Sequence, residues 1–275
     1  MNEHTDQKRL RESAYSKADA LDRRNAIQED FSSRATPWFR WVLERLDLSE
    51  TAAVLELGCG SGTLWLENQP RLSPGWHLTL SDLSPGMLRD AKKSLKGLKP
   101  EPVFAVLDAQ SLPFEDGQFD AVLAIGLLDH LPDVPRAARE IRRVLRHGGK
   151  LLASAGGSGH LRELRKRLKP FLPKQKSETL GGAAERFGLE NGEAILKRIF
   201  QQVTRYDYFD RLVFEEAQPV IDYVLSERSI QTALDPERLG GFVNHIRREL
   251  ARRGQIQVSV EKGLFVAARE VGRET

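Results

Sequence analysis

Only one cysteine, Cys59, occurs among the 275 residues. Its isolation excludes an intrachain disulfide and any zinc site built from several cysteines, and it suits a reducing compartment. No metal site is expected. Long apolar runs are also missing: none approaches the roughly 20 residues that span a bilayer. The opening stretch MNEHTDQKRLRES is charged where an export signal would be apolar, so a cytoplasmic location is expected. Neither sign of charge is much in excess. The 42 Lys and Arg against 39 Asp and Glu leave a formal +3, a weak pull toward nucleic acid or anionic lipid. Internal repeats and low-complexity linkers are absent too, so one elaborated domain is expected rather than two. The 40% of hydrophobic residues is enough to build its core.

The pattern along the chain divides it into four parts. Residues 1–48 interleave charge with Leu10, Ala14, Leu21, Ile27, Trp38, Trp41, Val42 and Leu46, which reads as two covering helices, the second starting at Pro37. In 49–155, short apolar runs (AAVLEL, WHLTLSD, PVFAVLD, FDAVLAIG, GKLLASA) alternate with helix candidates at 63–68, 85–96 and 134–145. That alternation predicts an α/β fold, a doubly wound and mostly parallel sheet with its ligand at the carboxyl ends of the strands. Residues 156–200 read as a helical insertion or lid. Residues 201–275 complete the sheet: VTRYDYFD as a strand, EEAQPVIDYVL and PERLGGFVNHIRRELARR as helices, and IQVSV with LFVAARE as strands around a turn at Lys262-Gly263. From Arg142 to Lys176 there are eleven Lys or Arg against one acid, Glu163, which reads as a solvated helix face.

The stretch VLELGCGSG places Gly58, Gly60 and Gly62 after a strand, where backbone must turn sharply and approach a ligand closely. A dinucleotide-binding loop also has glycines here, but spaced GxGxxG. In this chain the third glycine follows the second by two residues, and Glu56 precedes the first by two. A carboxylate there opposes a pyrophosphate and suits a cation such as S-adenosylmethionine, with its ammonium and sulfonium. VLELGCGSG resembles motif I of the class I S-adenosylmethionine-dependent methyltransferases. The likeness continues through Asp82 in LTLSDLSPGML and Asp108 in VLDAQSLPFEDGQFD. With AVLAIGLLDHLPD it looks like the subgroup that contains ubiquinone and menaquinone biosynthesis methyltransferases. It covers about residues 50–155.

The resemblance implies a seven-stranded Rossmann-like sheet and S-adenosyl-L-methionine as cofactor. It implies that Glu56, Gly58, Cys59, Gly60 and Gly62 wrap the amino-acid end, that Asp82 holds the ribose hydroxyls with Leu83 and Met87 beside it, and that Asp108 and the Ala109 amide meet the adenine. Gly126 completes this set, with Tyr15, Phe31 and Trp38 as covering aromatics. Each acid has a plainer reading as a turn or cap residue; Ser84 before Pro85 is such a cap, and Cys59 reads as a small packing residue. For catalysis, Asp129 and His130 follow the fourth strand. His130 reads either as a base for a hydroxyl, oriented by Asp129, or as a packing residue. His160 reads as a surface-loop residue or as one reaching the acceptor, and Tyr206 and Tyr208 as core or pocket lining.

The expected function is methyl transfer to a small organic acceptor by a monomer or homodimer, with O, N and C all open as the receiving atom. No Asp/Asn-Pro-Pro-Tyr/Phe stretch marks nucleobase amino methylation, and no second cysteine serves the paired-cysteine cytosine mechanism. An RNA methyltransferase is the alternative, resting on the basic segment and a pI near 9.0. A non-catalytic cofactor-binding protein is the second alternative.

Overall fold

A computed structural model describes residues 18–178 and 183–270. In chain order the helices and strands are α1 (Asp19–Asp30), α2 (Trp38–Leu43), β1 (Ala53–Leu57), α3 (Thr63–Asn68), β2 (His77–Asp82), α4 (Pro85–Ser94), β3 (Val103–Val106), β4 (Phe119–Ala124), α5 (Val134–Val144) and β5 (Leu145–Gly156). They are followed by α6 (Arg162–Leu168), α7 (Lys174–Glu178), α8 (Ala183–Arg186), α9 (Gly192–Leu196), β6 (Gln202–Phe214), α10 (Ala217–Leu225), α11 (Arg228–Gln231), α12 (Pro236–Arg253) and β7 (Ile256–Ala268). Asp133 and Asp235 cap α5 and α12, each with a proline in the first turn. Ser84 caps α4, its hydroxyl accepting from the Met87 amide, with Pro85 opening the helix as expected.

The seven strands form one sheet in the order β3-β2-β1-β4-β5-β7-β6. The first five run parallel, while β7 lies antiparallel to both β5 and β6. The connection reverses direction between β1 and β4, and a crevice opens there beyond the carboxyl ends of the strands. Alternating residues feed two apolar layers. Leu55, Val122, Leu151 and Phe265 face α5 and α9, and Val54, Leu80, Leu123 and Leu264 face α2, α3 and α4.

One feature of the carboxyl third departs from the sequence reading. No turn occurs at Lys262-Gly263; β7 continues through both residues. A Cβ at Gly263 would lie 2.8 Å from the Tyr206 carbonyl and 2.7 Å from Leu189, so this glycine admits close neighbours in a continuous strand. The uninterrupted strand matters because β7 pairs with β5 only from Lys262 onward, whereas its first half, Ile256–Glu261, pairs with β6 alone. The two-stranded ribbon projects past β5. Its Leu212, Phe214, Val258 and Val260 build a third apolar cluster with Ile27 of α1, Leu164 and Leu168 of α6, Val220 and Val224 of α10, and Phe242 and Ile246 of α12. This cluster carries the N-terminal, inserted and C-terminal helices to the same end of the sheet as the crevice.

Candidate functional site

The glycine loop follows β1 directly. Gly58, Gly60 and Gly62 take φ of +71°, +56° and +84°, a region that side chains rarely adopt. The Cys59 amide donates to the Ser81 carbonyl at 2.8 Å, and the Gly60 amide to Asp82 Oδ2 at 3.1 Å, tying the loop to the end of β2. Asp82 Oδ1 accepts from the Ser84 amide at 2.8 Å, and Asp108 Oδ1 from the Gln110 amide at 2.9 Å. Both acids therefore do hold turns, and both also face the cavity described next.

A cavity of about 590 Å³ lies over the carboxyl ends of β1, β2, β4 and β5. Its walls bring together Glu56, Gly58, Cys59, Gly60, Asp82, Leu83, Met87, Asp108, Ala109, Gly126, Asp129 and His130. Of the residues singled out from the sequence, Gly62 does not line it: a Cβ there would meet Leu95, just past the end of α4, at 2.6 Å, so this glycine answers to packing as well as to its left-handed φ. Tyr15 lies outside the described residues. Trp38 lines the cavity, while Phe31 packs against Phe214, ring centres 4.9 Å apart and tilted by 33°, in the third apolar cluster. Tyr208 is core, its hydroxyl donating to the Thr36 carbonyl at 3.1 Å, and Tyr206 is 40% exposed rather than buried.

Glu56 is 3% exposed, and its carboxylate accepts from the Trp65 indole at 2.5 Å. Burial pushes the carboxyl up to about 7; the indole bond opposes this and the nearby Asp82 adds to it. Asp82 is raised for the same leading reason. Burial also drives the Cys59 thiol well up, which leaves it protonated and fits a packing role. A pair of acids withdrawn from water beside a bare backbone is a poor place for a phosphate and a good one for a cation.

Several residues that line or support the site had no motif to reveal them. From α1, the Asp22 carboxylate accepts from Ser61 in the glycine loop, and Leu21 sits 2.9 Å from where a Gly60 Cβ would be. Trp65 was visible only as an apolar helix residue, although a buried indole N–H needs an acceptor. On the far wall stand Arg24, His160, Arg165 and Lys262. His160 thus lines the cavity instead of sitting on a surface loop.

The basic segment is solvated only in part: Arg146, Arg162, Lys166, Lys169 and Lys174 are exposed, while other cations are paired or turned inward. Arg143 bonds Asp116 and Glu140, Arg146 bonds Asp120, and Arg167 makes a two-pronged pair with Glu249 at 2.8 and 2.9 Å. Arg165 turns inward, and only Lys166 of the three consecutive cations is exposed. Among the described residues no helix is long and apolar enough to cross a membrane.

Residues 55–153 match the family model described as a methyltransferase domain. The malonyl-[acyl-carrier protein] O-methyltransferase of Geobacter sulfurreducens is 38% identical over 116 residues, covering 42% of this chain and 43% of that protein. The ubiquinone/menaquinone biosynthesis C-methyltransferase UbiE of Hahella chejuensis is 32% identical over 117 residues, 42% of this chain and 47% of that one. The matched part thus spans less than half the length of these curated relatives. Among solved structures, the phosphoethanolamine N-methyltransferase 2 of Haemonchus contortus, in complex with S-adenosylhomocysteine, shares the fold. Its TM-score is 0.59 at 20% identity, over 98% of this chain and 61% of that one. Over residues 55–153 the chain therefore carries a methyltransferase domain.

Proposed function

We propose that the protein transfers a methyl group from S-adenosylmethionine to a small organic acceptor. The observation that carries this reading is the single cavity in which the buried Glu56, the glycine loop, Asp82 and Asp108 share walls with an independent set of polar residues. Its volume of about 590 Å³ falls among small-molecule sites and leaves room beside a cofactor. Bound there, S-adenosylmethionine supplies a methyl carbon on a sulfonium, to which an acceptor lone pair bonds as the carbon–sulfur pair returns to sulfur.

The chain's own part is binding, alignment and exclusion of water. Glu56 takes the ammonium, a partner that repays the burial of its charge. Asp82 keeps acceptor capacity on both oxygens beyond its two backbone bonds and takes the ribose hydroxyls. Asp108 and the Ala109 amide meet the adenine, with Leu83 and Met87 as apolar wall and Gly126, held by its amide to Ser154 Oγ at 2.8 Å, beside them. His130 receives the proton of a hydroxyl acceptor. Asp129 anchors the turn that carries it, its carbonyl accepting from Arg186 Nε at 2.9 Å.

The decisive experiment is isothermal titration with S-adenosylhomocysteine, followed by an acceptor screen that detects its formation from S-adenosylmethionine. Micromolar binding and product formation are expected, and failure to bind at pH 8 refutes the proposal. A His130→Ala variant should keep the cofactor affinity and lose roughly 10²–10⁴-fold in turnover on a hydroxyl acceptor. Retained turnover with weakened binding would make His130 a packing residue. RNA is disfavoured as acceptor because Arg143, Arg146 and Arg167 of the basic segment are paired with acids of the chain itself, which leaves fewer cations for phosphates.

A further inference from the structure

The cavity is divided electrically. On the β1–β2 side its charged residues are the acids Glu56, Asp82 and Asp108. On the opposite side stand Lys262, Arg165 and Arg24, contributed by β7, α6 and α1, around His160, with Glu227 as an acid beside them, 3.4 Å from Arg24; Asp129 after β4, Lys176 of α7 and Arg228 of α11 complete the charged lining. Three separate parts of the chain thus converge cations on one imidazole. Burial, and after it the charges of Lys262, Arg165 and Arg24 in that order, hold the His160 ring down at about 3, so the ring is neutral. Its Nδ1 is buried without a hydrogen-bond partner.

Each cation is placed rather than incidental. Lys262 occupies the position where β7 parts from β5, opposite Gly156, and its ammonium donates to Gln28 of α1 and lies 5.1 Å over the Trp38 ring. Arg165 donates to the Ser158 carbonyl and faces the cavity from the inserted helix. The acids that offset them, Asp210 for Lys262 and Glu163 and Glu261 for Arg165, are not among the cavity-lining residues. Asp210 is turned to the Ser32 and Ser33 hydroxyls. Burial lowers Lys262 to about 8 and also lowers Arg165, so both remain charged at neutral pH at some energetic cost.

Resting on the methyltransferase reading, we propose that Lys262, Arg165 and His160 form the acceptor subsite and that the acceptor is a small oxyanion-bearing molecule, a carboxylate or phosphate held by the two cations. The cofactor carries a carboxylate of its own, but on the same carbon as the ammonium assigned to Glu56. In the register Glu56 stands opposite Leu123, Leu152 and Val266, so Lys262 is three strands across and four residues along, roughly 19 Å between backbones at the usual spacings. One carbon does not reach both. Arg24, on the helix that also carries Leu21 and Asp22 to the glycine loop, is the cation nearer the cofactor side, and the proposal does not depend on it.

The test uses acids and their neutral amides as probes: 4-hydroxybenzoate against 4-hydroxybenzamide, succinate against succinamide, and inorganic phosphate alone. Each is titrated into full-length protein saturated with S-adenosylhomocysteine. At least one anion should bind about tenfold or more tightly than its neutral counterpart (for phosphate, than an equal concentration of chloride), as expected for charge-assisted hydrogen bonds. The preference should disappear in Lys262→Met and in Arg165→Met and survive in Lys262→Arg, with S-adenosylhomocysteine affinity within about twofold in all three. Melting curves for the variants at saturating S-adenosylhomocysteine establish that they are folded, and Lys262→Arg keeps the question open to measurement if Lys262→Met is not. Absence of any anion preference in the native protein overturns the proposal, as does a preference retained in both Met variants. A tenfold loss of S-adenosylhomocysteine affinity in the Met variants overturns it differently, by assigning the cations to the cofactor's carboxylate. Failure of the native protein to bind S-adenosylhomocysteine would instead strike the methyltransferase reading itself.

Discussion

Replacing Glu56 with glutamine should stabilise the ligand-free protein and weaken its grip on the cofactor, and both effects should follow pH. Glu56 is 3% exposed and its carboxyl is pushed up to about 7 from an ordinary 4.5. A folded-state value above the unfolded one means that the native protein binds the proton more tightly between those two pH values. Stability is therefore lost as pH rises from about 4.5 to 7, and the loss is complete above that. The difference corresponds to roughly 3 kcal/mol. Glutamine has no charge to bury and its carbonyl still accepts from the Trp65 indole. Glu56→Gln should then melt higher than the native protein by roughly 5–10 °C at pH 8, with the gap closing toward pH 4.5. Calorimetric scans at pH 5 and pH 8 without ligand measure this.

Titration with S-adenosylhomocysteine gives the other half. The ammonium prefers the ionised carboxylate, so native affinity should fall by roughly tenfold between pH 7.5 and pH 6 as Glu56 takes up its proton. The glutamine variant should bind more weakly at pH 8 by about 1.5–3 kcal/mol, with most of the pH dependence removed. Equal melting temperatures at pH 8, or a native affinity that is flat from pH 6 to 8, would refute the reasoning that this carboxylate is held at an energetic cost for a cationic ligand.

Asp82→Ala deprives the Gly60 and Ser84 amides of their acceptor, so it should lower S-adenosylhomocysteine affinity by roughly 1.5–3 kcal/mol and also lower the melting temperature; calorimetry reads both. Gly60→Val places a side chain at φ +56° and 2.9 Å from Leu21, so binding should be abolished and the cover helix α1 should become more open to proteolysis; unchanged affinity would contradict the loop's assignment. Arg167→Glu should destabilise by on the order of 3 kcal/mol because it breaks the sheltered pair with Glu249, while Lys166→Glu should be silent within about 0.5 kcal/mol; denaturant titration distinguishes them.

The α/β alternation, six of the seven strands and the cap at Ser84 could be read from the residues, because strand-to-helix turns and capping depend on neighbours a few positions apart. The same holds for the cofactor wall. Glu56, the glycines, Asp82 and Asp108 each end a strand, and parallel strands deliver their ends to one edge whatever the rest of the chain does. Gly263 shows the limit of such reading: it is a glycine for packing against the Tyr206 carbonyl and Leu189 where a turn was the cause visible locally, while Gly62 combines the expected sharp turn, at φ +84°, with close packing on Leu95.

The acceptor wall was out of reach of local pattern. Arg24, His160, Arg165 and Lys262 are scattered over 239 positions and meet only because the β6–β7 ribbon outruns β5 and carries helices from both ends of the chain to the mouth of the crevice. Composition counted Arg165 and Arg167 as part of a basic run; folding sent one into the cavity and the other onto Glu249. A charge's sign and spacing are written in the sequence, but its effect depends on its distance from other charges and from water, and those distances exist only in the folded chain.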